Sequence, residues 1–214
     1  MPATKNRLND FCLKIANVNG TGSASANGLL MKAFFRMGIP VVGKNFFPSN
    51  IQGMPTWYEI RITKKGYKAR SGAVDIMVAM NAETYGDDIK EVSPGGYLFY
   101  DSTWPRQKTL SRPDITIIGI PLAAMCNENF STPRLRILMK NMVYVGAVAA
   151  LVDIDMAVIR ELIGQIFAGK PDLIPDNMKA IELIGKEVLP AVHAFPEHPG
   201  STPFGTTVAI DDPA

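Results

Sequence analysis

Cysteine and histidine are scarce in this chain, two of each in 214 residues, and that scarcity excludes several kinds of chemistry. Iron–sulfur clusters usually take four cysteines, so this chain alone ligates none. Cys12 and Cys126 lie in or near apolar segments far apart in sequence, which reads as two reduced core thiols ahead of a disulfide or a metal site. His193 and His198 stand without partners in a Pro-, Gly- and Thr-rich stretch, where a histidine is solvated far more often than catalytic. No residue has the pattern of a general acid or base. Long apolar runs are missing too: the longest, residues 142–152, is too short to span a bilayer. A net charge of +2, with no basic cluster interleaved with aromatics, gives no reason to expect nucleic acid. The opening Met-Pro-Ala-Thr-Lys-Asn-Arg leads into no signal-peptide core, so a soluble, cytoplasmic protein is expected.

One further absence is local. No Asp or Glu occurs between Asp10 and Glu59, although Lys14, Lys32, Arg36 and Lys44 fall inside that window. Within it, a β-rich run over residues 11–18 enters Asn19-Gly20-Thr21-Gly22-Ser23, and an amphipathic segment over residues 25–37 leaves it. That is a strand, a glycine turn and a helix start. Gly20 and Gly22 allow positive φ and let a ligand approach the backbone without a Cβ in the way. The free N–H groups of a helix N-terminus then suit a phosphate or another anion. Ser23 or Ser25 is expected to cap the helix and to offer a hydroxyl. The dinucleotide fingerprint is incomplete, because Ser25 replaces its third glycine and the ribose-binding acid about twenty residues on is missing. An NAD ribose site is disfavoured and another anionic ligand is not. The plain structural alternative is a tight strand-to-helix turn that holds nothing.

With 47% hydrophobic residues, one sizeable α/β domain is expected over residues 1–189, followed by a linker or tail over 190–214. Gly38 reads as a helix C-cap and Val41-Val42 as a short second strand. Residues 44–56 mix aromatics, amides, a lysine, prolines and glycine without a period, and read as a loop packed on the domain or held over a site. Residues 57–63 alternate as a strand, with Tyr58, Ile60 and Ile62 on one face and Glu59 and Arg61 on the other. The apolar run 74–80 fits a strand covered on both faces. A short helix over 82–92 is expected to end at Ser93-Pro94-Gly95-Gly96, with strands at 97–100 and 115–120 beyond it. From Arg134 the spacing of Leu135, Leu138, Met142, Val145 and Ala149 predicts a helix. Asp155 is the expected N-cap of another over 156–168, and Asp176 of a third running to Val188. Strand–helix alternation predicts an open, mostly parallel sheet with flanking helices, a Rossmann-like glycine turn and a helical C-terminal part.

Four segments carry a resemblance. They are the turn Asn-Gly-Thr-Gly-Ser-Ala-Ser-Ala-Asn-Gly from Asn19, the loop Phe-Phe-Pro-Ser-Asn-Ile-Gln-Gly-Met-Pro-Thr-Trp-Tyr-Glu-Ile-Arg-Ile from Phe46, the strand Val-Asp-Ile-Met-Val-Ala-Met-Asn from Val74, and the helix Lys-Asn-Met-Val-Tyr-Val-Gly-Ala from Lys140. Together they resemble the gamma domain of 2-oxoacid:ferredoxin oxidoreductases, over residues 11–188. Pro-Ser-Asn-Ile-Gln-Gly is the most specific part. In that family the domain is a separate subunit or the N-terminal portion of a larger alpha subunit, and this chain looks like the second kind.

The resemblance implies a component of a complex that oxidatively decarboxylates a 2-oxoacid; the segment resembles forms for 2-oxoglutarate, while pyruvate and branched-chain 2-oxoacids use the same architecture. Coenzyme A is the co-substrate, and the products are an acyl-CoA, carbon dioxide and reduced ferredoxin. Thiamine diphosphate, magnesium and iron–sulfur clusters are expected on the partner alpha and beta subunits or domains, since this chain has no Gly-Asp-Gly segment leading to paired asparagines and no cluster-spaced cysteines. By the same resemblance the gamma domain lies over the thiamine site and helps bind coenzyme A. Gly20, Gly22 and Ser23 present backbone donors, Ser25 a hydroxyl, and Lys44 or Arg70 a cation for a phosphate. Asn50, Gln52 and Gly53 are placed at the lip of the active site. Against these stand an Arg70 that only pairs with a neighbouring charge, and amides that only shape the loop. Two other functions compete: a stand-alone Rossmann-type nucleotide-dependent oxidoreductase, and a non-catalytic scaffold domain.

Overall fold

A computed structural model of the chain describes residues 9–47, 52–67, 69–70, 72–104 and 110–184. Asn50, most of the Pro-Ser-Asn-Ile-Gln-Gly segment, and the expected boundary near residue 190 lie outside these residues. The described part is a six-stranded mixed sheet in the order β2-β3-β1-β4-β5-β6. The strands are β1 Asp10–Val18, β2 Val41–Phe46, β3 Pro55–Thr63, β4 Val74–Ala79, β5 Val92–Asp101 and β6 Thr116–Ile120. Pairings β1–β4, β4–β5 and β5–β6 are parallel, while β3 runs antiparallel to both its neighbours, β1 and β2. All strands but β3 therefore share one direction, as the strand–helix alternation predicts.

The helices are α1 Ser23–Arg36, α2 Tyr85–Glu91, α3 Leu122–Asn129, α4 Pro133–Leu151, α5 Met156–Ile166 and α6 Ile174–Leu183. They are divided unequally between the two faces of the sheet. On one face Phe11, Leu13, Ile15, Ile60, Ile62, Ile76, Val78, Tyr97 and Phe99 join α1, α3, α4, α5 and α6 in one apolar core. On the other, Ala16, Met77, Ala79 and Leu98 pack with Tyr85 and Ile89 of α2. Period-2 alternation in the strands sends alternate residues to these two layers. β4, covered by both, is buried at every position.

Several boundaries differ from the sequence reading, each for a local reason. β2 and β3 run into the supposed loop because their cross-strand pairing persists to Phe46 opposite Trp57. Ser93-Pro94-Gly95-Gly96 does not stop an element but lies inside β5: Val92 pairs with Val74 and Tyr97 with Ile76, so the intervening residues bulge. α2 is correspondingly short, and α3 was not legible as a helix separate from α4. Asp155 caps α5 as expected, its carboxylate accepting from the Ala157 N–H at 2.8 Å. Asp176 is not a cap; it sits in the first turn of α6, which starts at Ile174 with a proline next to it. At the far end of α1, Gly38 closes the helix, with its own N–H donating to Phe35 and that of Ile39 to Phe34.

α4 and α6 touch at Gly146, where a Cβ would stand 2.2 Å from the Ile181 carbonyl oxygen. Gly146→Ala therefore forces the helices apart, at an expected cost of about 1–3 kcal/mol. Urea unfolding reads this as a lower midpoint at unchanged slope, and a wild-type midpoint would show that the contact yields freely.

The two cysteines lie on opposite sides of the sheet, Cys12 on β1 beside Lys14 and Cys126 in the helical core, both buried. Desolvation, and for Cys12 the nearby Glu59, pushes each thiol from 9.0 up to about 12. The native chain keeps these protons while an unfolded chain releases them, so native stability falls as pH rises from about 9 towards about 12. At pH 8 neither thiol is expected to react with a disulfide reagent until denaturant is added, when both react. Labelling of the native chain would refute the burial of whichever thiol reacts.

Candidate functional site

The glycine turn lies at the carboxyl end of β1. Strand order reverses here: β1 continues through α1 to β2 on one side, while β4 lies on the other side of β1 and continues through α2 on the opposite face. In open α/β sheets such a switch point leaves a crevice beyond the strand ends. Its other lip is the end of β4, where the Met80 N–H donates to the Ala16 carbonyl at 2.8 Å and Asn81 follows. Asn81 is 5% exposed; its Oδ1 accepts from the Glu83 N–H at 3.1 Å, while its Nδ2 has no partner among the described residues. Asn81 ends the segment from Val74 that carries the resemblance, and the sequence alone assigned it no role.

Gly20 and Gly22 both take left-handed backbone conformations, with φ of 90° and 84°. Gly22 is itself the N-cap residue of α1, so the expected serine cap is absent: Ser23 is buried as the first helical residue, and Ser25 is exposed in the first turn. A capping residue with a side chain would have filled one of the first-turn N–H groups, and Gly22 fills none. The first turn of α1 also holds no acid. Every other described helix differs. Asp101 and Thr103 accept from Ala123 and Ala124 of α3, Thr132 from Leu135 of α4, and Asp155 from Ala157 of α5. α2 and α6 carry aspartates in their first turns. Among the described helices, α1 alone leaves the positive end of its dipole unserved by the protein's own oxygens, which is the electrostatic arrangement an anion needs.

Gln52 and Gly53 are held at this turn. The Asn19 N–H donates to the Met54 carbonyl at 2.9 Å and the Gly53 N–H to that of Asn19 at 3.0 Å, which extends the β1–β3 pairing past the strand ends. The Gln52 side chain lies against Gly20, where a Cβ would meet its Cγ at 2.8 Å. The fold thus brings Gly20, Gly22, Ser23, Ser25, Gln52 and Gly53 to one rim. Phe47, Met54 and Trp104, next to the ends of β2, β3 and β5 on this edge of the sheet, are 50%, 40% and 55% exposed.

Lys44 and Arg70 are placed elsewhere. Lys44 pairs across strands with Glu59, four residues down β3 from Pro55 at the rim, roughly 13 Å by strand rise. Arg70 grips the buried Glu59 carboxylate with Nε at 2.9 and 3.0 Å and Nη2 at 2.7 Å. Both cations lie over the Phe46 ring, at 5.2 Å for Lys44 and 4.5 Å for Arg70. These contacts belong to a polar strip on the sheet face that α2 only partly covers. There Lys14 pairs with Glu91, and Asp88 accepts from Trp57 Nε1 at 2.9 Å and Thr84 Oγ1 at 2.6 Å, with burial holding its carboxyl above the usual range.

Residues 12–186 match the family described as pyruvate ferredoxin/flavodoxin oxidoreductase. The chain belongs to that family. Subunit alpha of 2-oxoacid:ferredoxin oxidoreductase 2 from Aeropyrum pernix is 24% identical over 81% of the chain, and the chain spans about one third (33%) of that relative. Among solved structures, 2-oxoglutarate:ferredoxin oxidoreductase from Magnetococcus marinus, with 2-oxoglutarate, coenzyme A and succinyl-CoA bound, shares the fold at a TM-score of 0.78 and 22% identity, over 94% of this chain and 33% of that one. The gamma subunit of a keto/oxoacid ferredoxin oxidoreductase from Geobacter sulfurreducens matches at 0.65 and 17% identity, over 85% of this chain and 99% of its own length. Subunit PORC of pyruvate oxidoreductase from Thermotoga maritima matches at 0.62 and 17% identity, over 82% of this chain and 94% of its own. The matched region thus takes up nearly all of the two subunits and one third of the other two proteins.

For the polar strip, Arg70→Ala removes the guanidinium that compensates a buried carboxylate. Because water reaches half of the Arg70 side chain, the expected loss is about 1–2 kcal/mol. Glu59→Gln in the same chain is expected to recover part of it, and additive losses in that double-mutant cycle would show the pair to be uncoupled.

Proposed function

We propose that this chain is the gamma-type component of a 2-oxoacid:ferredoxin oxidoreductase, in which it binds coenzyme A through the glycine turn and closes the thiamine site. The observation that carries this reading is the N-terminus of α1: a helix dipole with free N–H groups, left open by a glycine cap at the switch point of the sheet. Coenzyme A brings phosphates to such a site and a pantetheine arm whose amides match Gln52 and the backbone of Gly53. Ser25 adds a hydroxyl. The coenzyme A and 2-oxoglutarate held by the Magnetococcus marinus enzyme support coenzyme A as the ligand and 2-oxoglutarate as the oxoacid. Asn50 belongs to the same proposed lip. Lys44 and Arg70 are left out of it, because Lys44 lies over the Phe46 ring and Arg70 holds the Glu59 carboxylate.

We infer that thiamine diphosphate, magnesium and iron–sulfur clusters are held outside this chain. Among the described residues there is no group of three or more His, Cys, Asp or Glu side chains that could hold a metal ion, and the two cysteines are buried on opposite sides of the sheet. We assign these cofactors to partner alpha and beta subunits or domains, with ferredoxin as the electron acceptor. The exposed Phe47, Met54 and Trp104 along this edge of the sheet give a partner apolar side chains to close upon. This chain's share of the reaction is then to hold the phosphates, orient the thiol-bearing arm toward the partner's cofactor and exclude water. No helix among the described residues is long and apolar enough to cross a membrane, and we place the complex in the cytoplasm.

The test is purification of the chain from its own host with whatever accompanies it, followed by thiamine and iron assays and coenzyme A titration. A thiamine- and iron-containing assembly is expected. In it, Ser25→Asp puts an acid in the first turn of α1, which favours the helix but repels a phosphate, so coenzyme A affinity should fall about tenfold without loss of thermal stability. Unchanged affinity would leave the turn a plain structural element. A chain that purifies alone and binds a nicotinamide nucleotide would overturn the proposal in favour of a Rossmann-type enzyme.

A further inference from the structure

The segment Lys-Asn-Met-Val-Tyr-Val-Gly-Ala lies in the middle of α4 and takes no part in the ligand site described above, yet it is tied to it by buried hydrogen bonds. Asn141 is 2% exposed. Its Nδ2 donates to the Thr21 carbonyl at 2.8 Å, and its Oδ1 accepts from Asn17 Nδ2 at 3.1 Å. Asn17 Oδ1 in turn accepts from the Val18 N–H at 2.8 Å and from Thr21 Oγ1 at 3.0 Å. One helical turn to either side, Leu138 fills the space beneath Gly22, where a Cβ would meet its Cδ2 at 2.5 Å, and the Tyr144 hydroxyl donates to Asn27 Oδ1 of α1 at 2.8 Å.

Folding alone gives little reason for this arrangement. A buried amide in a helix interior contributes modestly, and apolar residues of matching shape at both Asn17 and Asn141 would serve a core about as well. The network does something that packing does not: it fixes a peptide plane. In a trans peptide the carbonyl of residue 21 and the N–H of residue 22 point in opposite directions. Holding the Thr21 carbonyl against α4 therefore aims the Gly22 N–H away from α4. Gly22, lacking a Cβ, has little intrinsic preference that would keep this plane from turning over.

We infer that Asn141, held by Asn17, is the positioning residue of the anion-binding turn, keeping the Gly22 N–H and the α1 N-terminus aimed at the phosphates of the ligand. This rests on the proposed coenzyme A role. Neither residue touches the ligand; each acts through the backbone of Thr21 and Gly22.

The experiment uses the assembled enzyme and measures KM for coenzyme A, KM for the 2-oxoacid and kcat in Asn141→Asp, with Ser25→Asp alongside. Asn141→Asp keeps the size and the acceptor for Asn17, but its carboxylate cannot donate to the Thr21 carbonyl. KM for coenzyme A is expected to rise about tenfold, with kcat at saturating coenzyme A and KM for the 2-oxoacid within about twofold of wild type. The defect should grow from pH 6 to pH 9, because only a neutral carboxyl can donate. A lowered melting temperature with a wild-type coenzyme A KM at every pH would reduce Asn141 to a structural residue and overturn the inference. Should Asn141→Asp fail to assemble, Thr21→Val removes the hydroxyl bond from the half-buried turn and is expected to raise the same KM about threefold. A Ser25→Asp defect without one in the network variants sinks only this inference. No defect in any of them sinks the coenzyme A reading as well.

Discussion

The constraint on which this structure depends is the course of the backbone at the end of β1. Two left-handed residues in three, Gly20 and Gly22, turn the chain so sharply that the next residues enter α1 with no side chain over its first N–H groups. Such a turn is not self-supporting, because glycine loses more conformational freedom on ordering than any other residue. It is held from beneath by α4, through the Asn17–Asn141–Thr21 network and the Leu138 side chain, and from the side by the Asn19 bonds to Gly53 and Met54. The helical layer is thus more than a cover for the sheet. It is the mould in which the turn is set.

The unequal clothing of the sheet follows the same division of labour. The face under α1, α3, α4, α5 and α6 is apolar and supplies the bulk of the burial that offsets chain entropy. The other face carries Lys14, Glu59, Asp75 and Asp88, all buried and engaged with partners such as Glu91, Arg70, the Cys12 N–H and Trp57. Ion pairs of this kind, each with one partner half-exposed, stabilise little beyond their desolvation cost. They do fix register, since a one-residue slip of β3 would carry Glu59 into the apolar core.

At the rim, the chain presents donors without an acceptor and apolar side chains without a cover. The chain spans 33% of the Aeropyrum pernix relative and of the Magnetococcus marinus structure, but 94% and 99% of the two subunits that share its fold. A unit of this size with its own apolar core recurs in both arrangements.

Much of this was legible in the sequence because it is governed by local rules. Alternation marked β3, the uninterrupted apolar run marked β4 as a strand covered twice, helical spacing marked α4, and Asp155 announced the start of α5. The glycine turn announced its left-handed conformation at Gly20 and Gly22. Where local signals misled, a longer-range contact had prevailed: the bulge that keeps Ser93-Pro94-Gly95-Gly96 inside β5 requires β4 beside it, and the cap position fell to Gly22 because Leu138 lies against it. Strand order, the pairing of Arg70 with Glu59, and the partnership of Asn17 with Asn141 across more than a hundred residues were decided by tertiary structure alone. Sequence periodicity states which face a residue takes, but not which distant residue will share it, and hydrogen bonds of this kind depend on that neighbour.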